Sequence, residues 1–107
     1  MKYWPITLSF LPAQAMALYP FMLFKTKNVQ TDERIIRHEQ IHFRQQLEML
    51  IIFFYIVYLL NYLSNLARFK NHNKAYYHIS FEREAYKNDN DRLYLKKRKS
   101  FAWVKMI

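Results

Sequence analysis

One short segment of the sequence could carry catalytic chemistry. Residues 38–42 read His-Glu-Gln-Ile-His and match the pattern H-E-x-x-H. On a helix, positions four apart lie about 40° from each other, so His38 and His42 can bind one metal ion from the same face. A neutral imidazole suits Zn²⁺, and a carboxylate beside a metal-bound water can accept its proton and pass it to a leaving amine. The motif therefore indicates a zinc peptidase in which Glu39 is the base.

The composition excludes several other kinds of site. The 107 residues contain no Cys and no Gly. Disulfides, thiolate ligands and a cysteine nucleophile are therefore excluded, and so are the glycine-rich loops that hold nucleotide phosphates. A chain of this length has enough apolar surface for one core, so we expect a single domain over residues 1–107. Zinc bound by His and carboxylate side chains remains the cofactor that the composition favours.

The charge predicts anionic partners without selecting one. The chain has 17 Lys and Arg residues against eight Asp and Glu, and 19% of its residues are aromatic. Such a surface suits an anionic membrane surface, nucleic acid or an acidic protein. So many Tyr and Phe residues more often fill a core or lie at a membrane interface than stack on bases, so nucleic acid is not the partner that we expect.

The first 24 residues are predicted to form an apolar strand segment. Residues 3–24 carry no charge and include three prolines. Residues 6–10 alternate between apolar and polar side chains as a half-buried strand does, and residues 16–24 predict a second, more buried strand. A secretory signal fits poorly because proline interrupts the apolar run. The length of the run also keeps a membrane-embedded alternative open.

A long helix is predicted for residues 31–68, capped by Thr31 or Asp32. One stripe at three- and four-residue steps contains Ile35, His38, His42, Gln45, Met49, Phe53, Ile56, Leu60 and Leu63. We therefore expect the second half of this helix to be buried and to hold the histidines at the interior or at a cleft. A bilayer crossing by the uncharged residues 49–67 is the alternative, but it would separate the His pair from everything after residue 68. We thus expect a cytoplasmic or peripheral membrane protein, with an integral one as the remaining alternative.

Residues 74–107 are predicted to be a helical region that completes the metal site. Catalytic zinc usually has three protein ligands, and the downstream candidates are Glu82, Glu84, His72 and His78. The fold class expected from these segments is α+β and mostly helical. The basic stretch after residue 93 is interpreted as a solvated helix packed through Trp103, with a contact to anionic lipid as the alternative.

The motif at residues 38–42, followed by Glu82-Arg83-Glu84-Ala85, resembles the gluzincin zinc peptidases, whose third ligand is a Glu on a later helix. It is also similar to small bacterial proteins with an H-E-x-x-H-x-x-Q helix and a terminal F-E-x-E-A-Y element. The resemblance implies a small zincin-like domain with Glu82 as the third ligand, and it does not imply a known substrate. For a zinc peptidase we expect an unidentified peptide or protein as substrate. The Asp that such families often place four residues later is Tyr86 here, so the hydrogen bond from that Asp to a ligand His is in doubt.

Four further residues are candidates for supporting roles, as groups that orient a ligand or stabilise the transition state: Gln45, His78, Tyr77 and Tyr86. His78 is also an alternative third ligand. Glu84 lies about 200° from Glu82 on a helix and is expected to face solvent or form a salt bridge. Two alternatives to the peptidase remain: a non-catalytic domain stabilised by zinc, and a basic membrane-associated protein in which the motif is coincidental.

Overall fold

Three short strands form from the apolar N-terminal segment. The computed structural model describes residues 2–107, and its strands are β1 (Trp4–Thr7), β2 (Ala15–Leu18) and β3 (Phe21–Phe24). β3 lies in the centre, parallel to β1 and antiparallel to β2. The prediction of one strand over residues 16–24 is wrong, because the chain reverses at Tyr19-Pro20 and makes β2 and β3 a hairpin. The sheet therefore has three strands rather than the one or two expected.

The sheet is covered by the helix that carries the motif, α1 (Glu33–Glu48). Met22 and Phe24 of β3 pack with Phe43 of α1, and all three side chains are fully buried. Asp32 is the N-cap of α1, and its carboxylate accepts the amide hydrogens of Arg34 and Ile35 at 3.0 and 3.2 Å. This capping interaction, one of the two alternatives predicted, starts α1 at Glu33, five residues before His38.

The predicted continuous helix over residues 31–68 is wrong, because α1 ends at Glu48 and α2 (Ile52–Phe69) follows in a new direction. Leu50 and Ile51 make the break, with φ of 53° and 64°. The physical reason is tertiary packing. In an unbroken helix Tyr58 would lie roughly 24 Å along the axis from His42. In the structure its hydroxyl is 2.6 Å from Glu82, which itself contacts His42. Packing at the site thus overrides helix continuity.

The break also changes which face of the second helix is buried. Phe53, Ile56, Leu60 and Leu63 were expected in the core, and all four are exposed. Phe54 is buried instead, and its ring stacks on Phe81 with centroids 4.5 Å apart. The first half of the predicted stripe is confirmed, since His38, His42 and Gln45 are buried.

The rest of the chain is helical. α3 (His72–Tyr77), α4 (Ser80–Asn88) and α5 (Tyr94–Lys97) follow α2, and short 3₁₀ helices span Val29–Thr31 and Ala102–Met106. A second core cluster joins Phe54 to Ile79, Phe81 and Trp103. Trp103 packs back as expected, with its ring centroid 4.7 Å from that of Phe81. The expected α+β, mostly helical class is confirmed: within residues 2–107 there are five α-helices and a three-stranded mixed sheet.

By length and composition alone, α2 is the one helix among residues 2–107 that could cross a membrane, and only 11% of it is buried. Length and composition are weak evidence, because core helices pass the same test. The described chain is compact, with a Cα radius of gyration of 13.6 Å.

Candidate metal centre

Three potential ligand atoms converge between α1 and α4. The Nε2 atoms of His38 and His42 each lie 3.1 Å from Oε1 of Glu82. All three side chains are buried, and their ligand atoms lie within 4.8 Å of one another. The amide of Ser80, at the start of α4, donates to Asn61 of α2 at 2.8 Å, which fixes this helix beside the histidines. The group could hold a metal ion.

His42 is oriented by a neighbour on its own helix. Gln45 is fully buried, and its Nε2 donates at 3.0 Å to both the carbonyl of Phe81 and the carboxylate of Glu84. Its Oε1 is therefore left as an acceptor, 2.7 Å from Nδ1 of His42. This arrangement assigns the hydrogen to Nδ1 and directs the lone pair of Nε2 toward Glu82. Gln45 was one of the candidates for orienting a ligand, and its hydrogen bond places it against His42.

His38 is oriented by a residue that the sequence analysis missed. Its Nδ1 lies 3.1 Å from Oδ2 of Asp89, which is buried just after α4. Arg34 donates to the same oxygen at 3.3 Å, and Arg37 donates to the Asp89 carbonyl at 2.5 Å. Asp89 supplies the contact that was sought four residues after Glu82, where Tyr86 stands. Asp89 lies seven residues, or two helical turns, after Glu82 and is therefore within about 20° of the same helical face. This two-turn spacing is the signal in the sequence that points to it.

These contacts leave three acceptors facing one another. Both imidazoles donate their Nδ1 hydrogens away from the site and present an Nε2 lone pair to the Glu82 carboxylate. Three acceptors in contact repel one another unless a proton or a metal cation lies between them. Burial lowers the pKa of His42, but the Glu82 carboxylate outweighs this effect and raises it to about 9. Burial likewise raises the pKa of Glu82, but the two imidazoles hold it well below its usual range. A metal ion would take the place of the proton.

Glu39 lies beside this group without belonging to it. The residue is only 8% exposed. Burial raises the pKa of its carboxyl group, although the two neighbouring histidines act in the opposite direction. It shares with His42 and Glu82 the wall of a cavity of about 330 Å³. We refer to this cavity as the cleft; its remaining lining residues are Pro12, Ala13, Ala15, Met16, Ala17, Leu18, Gln46, Phe54, Tyr55, Tyr58 and Tyr76.

Two tyrosines of the cleft, Tyr58 and Tyr76, make hydrogen bonds that were not predicted from the sequence. The hydroxyl of Tyr58 donates to Oε2 of Glu82 at 2.6 Å, so it holds the oxygen that does not face the histidines. The hydroxyl of Tyr76 lies 3.1 Å from that of Tyr86. Burial is the main cause of a strongly raised pKa in both Tyr58 and Tyr76, so both remain neutral hydrogen-bond donors. No spacing pattern in the sequence indicates the contact of Tyr58 with Glu82, since it depends on the break before α2.

β2 forms the opposite wall of the cleft and has a free edge. The amide of Lys25 bonds to the carbonyl of Gln14, so in this antiparallel ladder Ala15 and Ala17 direct their backbone groups away from β3. Gln46 of α1 occupies one end of that edge. Its Nε2 donates to the Ala17 carbonyl at 2.8 Å, and its Oε1 accepts the Tyr19 amide at 2.9 Å.

The other candidates lie in different places. His78 is exposed and bonds through Nδ1 to the carbonyl of Lys74 at 2.7 Å, so the structure does not bring it to the metal group. Tyr86 does reach the site, with its ring centroid 4.4 Å from that of His38. Tyr77 packs on Tyr86, is half exposed, and lines a second cavity together with His38 and Glu39.

The expectation for Glu84 is partly wrong. It was expected to face solvent or to form a salt bridge; it is fully buried, so the solvent alternative is wrong. Its carboxylate accepts hydrogen bonds from Arg98 at 2.6 and 3.0 Å and from Tyr94 at 2.7 Å. Arg98 also contacts both oxygens of Glu48, which ties α5 to the end of α1. Glu84 thus supports the site through Gln45 and does not face the metal group.

Comparisons with known proteins identify no homologue of this chain. No family model, curated protein or solved structure matches the chain. The site must therefore be interpreted from its own atoms. These give a buried group with two imidazoles and a carboxylate, an adjacent buried Glu39, and a cleft bordered by a strand edge.

Proposed function

We propose that the protein is a zinc-dependent peptidase with His38, His42 and Glu82 as ligands and Glu39 as the base. The observation that carries the proposal is the convergence of three acceptor atoms within 4.8 Å, with Glu39 in the same cleft. Two His and one Glu form a ligand set found in catalytic zinc sites, and Asp89 and Gln45 supply the orienting contacts that such sites require. The resemblance to gluzincins supports the same assignment.

The chemistry divides between the ion and the chain. Zinc, when bound, polarises a substrate carbonyl and lowers the pKa of a bound water. Glu39 would accept a proton from the attacking water and deliver it to the leaving amine. Glu39 is buried in the wall of the cleft beside His42 and Glu82, where its carboxylate could serve both steps. The hydroxyl of Tyr58 is donated to Glu82, whereas the neutral hydroxyl of Tyr76, also in the wall of the cleft, could donate to a developing oxyanion while it accepts from Tyr86.

The cleft fits an extended peptide. The free amide and carbonyl of Ala15 and the free amide of Ala17 can pair with a peptide backbone laid along β2. Such pairing recognises the backbone rather than the side chains. We therefore propose unstructured polypeptide as the substrate class.

The main alternative is that zinc only stabilises the domain. The observation in its favour is that the three ligands join α1 to α4, so a bound ion would link the two helices and add its binding free energy to folding. The two functions predict different behaviour for Glu39, which lies next to the ligands but is not one of them.

The experiment uses the purified full chain, stripped with chelator and reconstituted with zinc. Metal content, thermal unfolding and cleavage of an unstructured protein such as casein are measured for the wild type and for Glu82→Ala, Glu39→Gln and Glu33→Gln. Glu33 lies on α1 with its side chain 68% exposed and serves as the matched control. A peptidase requires about one zinc per wild-type chain and loss of zinc in Glu82→Ala. Glu39→Gln should keep zinc and lose cleavage by roughly 100-fold or more.

Other results would overturn parts of this scheme. A wild-type chain without zinc after reconstitution removes the metal hypothesis. Full occupancy in Glu82→Ala, with loss in His78→Ala, removes the assignment of the third ligand. Zinc that raises thermal stability in a wild-type chain without cleavage activity supports the structural alternative.

A further inference from the structure

The outward face of α2 is a continuous apolar surface. Seven large apolar side chains of α2 are exposed, and all but Tyr55 lie on this face: Ile52, Phe53, Ile56, Leu59, Leu60 and Leu63. These positions fall within an arc of about 120° on the helix and span roughly 17 Å along it. Leu47 and Leu50, just before the helix, are exposed as well. The surfaces of soluble proteins usually expose such residues singly. A contiguous apolar patch of this size therefore indicates a contact with another protein or with a membrane.

The opposite face of α2 is attached to the domain along most of its length. Tyr58 bonds to Glu82 at 2.6 Å, Asn61 to the amide of Ser80 at 2.8 Å and Asn65 to the carbonyl of Ala75 at 3.2 Å. If α2 crossed a bilayer, α3, α4 and the metal group would enter the hydrocarbon with it, and their polar groups would lose water. The helix can therefore meet a membrane only with its outer face, lying parallel to the surface.

The charges around α2 favour a membrane over a second copy of the chain. Residues 49–81 contain no Asp or Glu, and the only charged residues among them are Arg68, Lys70 and Lys74. All three are exposed, at the end of α2 and on the loop and helix that follow it. In a dimer through α2 these cations would find no acidic partner among residues 49–81 of the facing copy, and two chains that each carry a net charge of +9 repel each other. A bilayer with anionic headgroups complements both the apolar face and the flanking cations.

We propose that the protein docks on anionic membranes through the outer face of α2, with the helix in the plane of the interface and its apolar side chains among the lipid chains. Lys70 and Lys74 then lie at headgroup level. The proposal does not depend on zinc or on catalysis, because none of these residues contacts His38, His42 or Glu82.

The test is sedimentation of the full chain with vesicles of phosphatidylcholine alone and of phosphatidylcholine with phosphatidylglycerol. Three double or single variants are compared with the wild type: Ile56→Ser with Leu60→Ser, Lys70→Gln with Lys74→Gln, and Trp4→Ser. Trp4 is the matched control, since it is 67% exposed but lies on β1, the sheet edge remote from α2. All the substituted side chains are exposed, so the fold should be retained, and circular dichroism checks this.

We expect the wild type to bind the anionic vesicles and to bind neutral ones weakly. The α2 double variant should lose roughly tenfold or more in affinity, because its contribution scales with the apolar area transferred into lipid. The lysine variant should lose roughly tenfold on anionic vesicles only, with a weaker salt dependence. Trp4→Ser should bind as the wild type does.

Three results would overturn the proposal. The first is a wild-type chain that stays in the supernatant with both kinds of vesicle. The second is a wild-type dimer in solution that the α2 double variant dissociates, which would assign the face to a second copy. The third is equal loss of binding in Trp4→Ser, which would place the contact elsewhere.

Discussion

Replacing Arg98 with Met tests the buried ionic network behind the metal group. The Arg98 side chain is 2% exposed and contacts two carboxylates, Glu84 at 2.6 and 3.0 Å and Glu48 at 2.8 and 3.0 Å. The Glu84 side chain is fully buried and that of Glu48 is 13% exposed. Met fills much of the volume of Arg98, so the main effect is to leave two buried carboxylates facing each other without a cation.

The magnitude follows from that arrangement. Removing one partner from a buried ion pair costs roughly 3–5 kcal/mol, because the remaining charge is neither hydrated nor paired. Glu84 keeps hydrogen bonds from Gln45 and Tyr94, and Glu48 keeps one from the amide of Phe101, so we expect the lower half of that range. For a chain of this size, 3 kcal/mol lowers the melting temperature by roughly 12 °C.

Urea unfolding with chelator present measures the loss without a contribution from bound metal. The matched control is Arg92→Met, because Arg92 pairs with Glu33 at 3.5 Å while its side chain is 81% exposed. That variant should lose less than about 0.5 kcal/mol. The double variant Arg98→Met with Glu84→Gln should recover part of the loss, because it removes one of the two unpaired charges. A loss below about 1 kcal/mol in Arg98→Met, or equal losses in both Arg variants, would refute the reasoning.

Three further perturbations probe the site and the helix break. Asp89→Asn should weaken zinc binding roughly 10- to 100-fold in a competition titration, because His38 loses its carboxylate partner; unchanged affinity would contradict the role given to Asp89. Leu50→Gly should leave the free energy of unfolding unchanged or raise it by up to about 1 kcal/mol, because φ is 53° there, whereas Ala67→Gly within α2 should lower it by about 1 kcal/mol; equal losses would argue against the break. Gln46→Ala should lower the free energy of unfolding by roughly 1–3 kcal/mol and speed hydrogen exchange at the Tyr19 amide. Unchanged exchange at that amide would contradict the pairing of Gln46 with β2.

The parts of the fold and site that could be predicted depend on local sequence. His38, Glu39 and His42 occupy one face because helix periodicity fixes them, and Asp32 caps α1 because short-range hydrogen bonding favours it. The grouping of Glu82 with the histidines was expected from a resemblance, and the geometry agrees with it. Its role as a zinc ligand stays a prediction.

The parts that could not be predicted depend on contacts between distant segments. Residues 49–51 contain neither Gly nor Pro, so nothing local marks the break between α1 and α2. The break forms because it allows Phe54 to stack on Phe81 and Tyr58 to reach Glu82, and both partners lie more than 20 residues away. Asp89 was not predicted for a different reason: it lies seven residues after Glu82, whereas the resemblance placed the orienting Asp four residues after it.

The bond between Gln46 and β2 has a consequence for how the chain behaves at high concentration. An exposed strand edge invites pairing with other molecules, and both edges of this sheet are shortened. Gln46 occupies the Ala17 carbonyl and the Tyr19 amide at one edge, and Pro5 lacks the amide hydrogen that β1 would offer at the other. The stretch that remains free on β2 is long enough for a few residues of a peptide but too short to nucleate an intermolecular sheet. Both edges therefore offer fewer backbone groups for intermolecular pairing than fully open strands of the same length would.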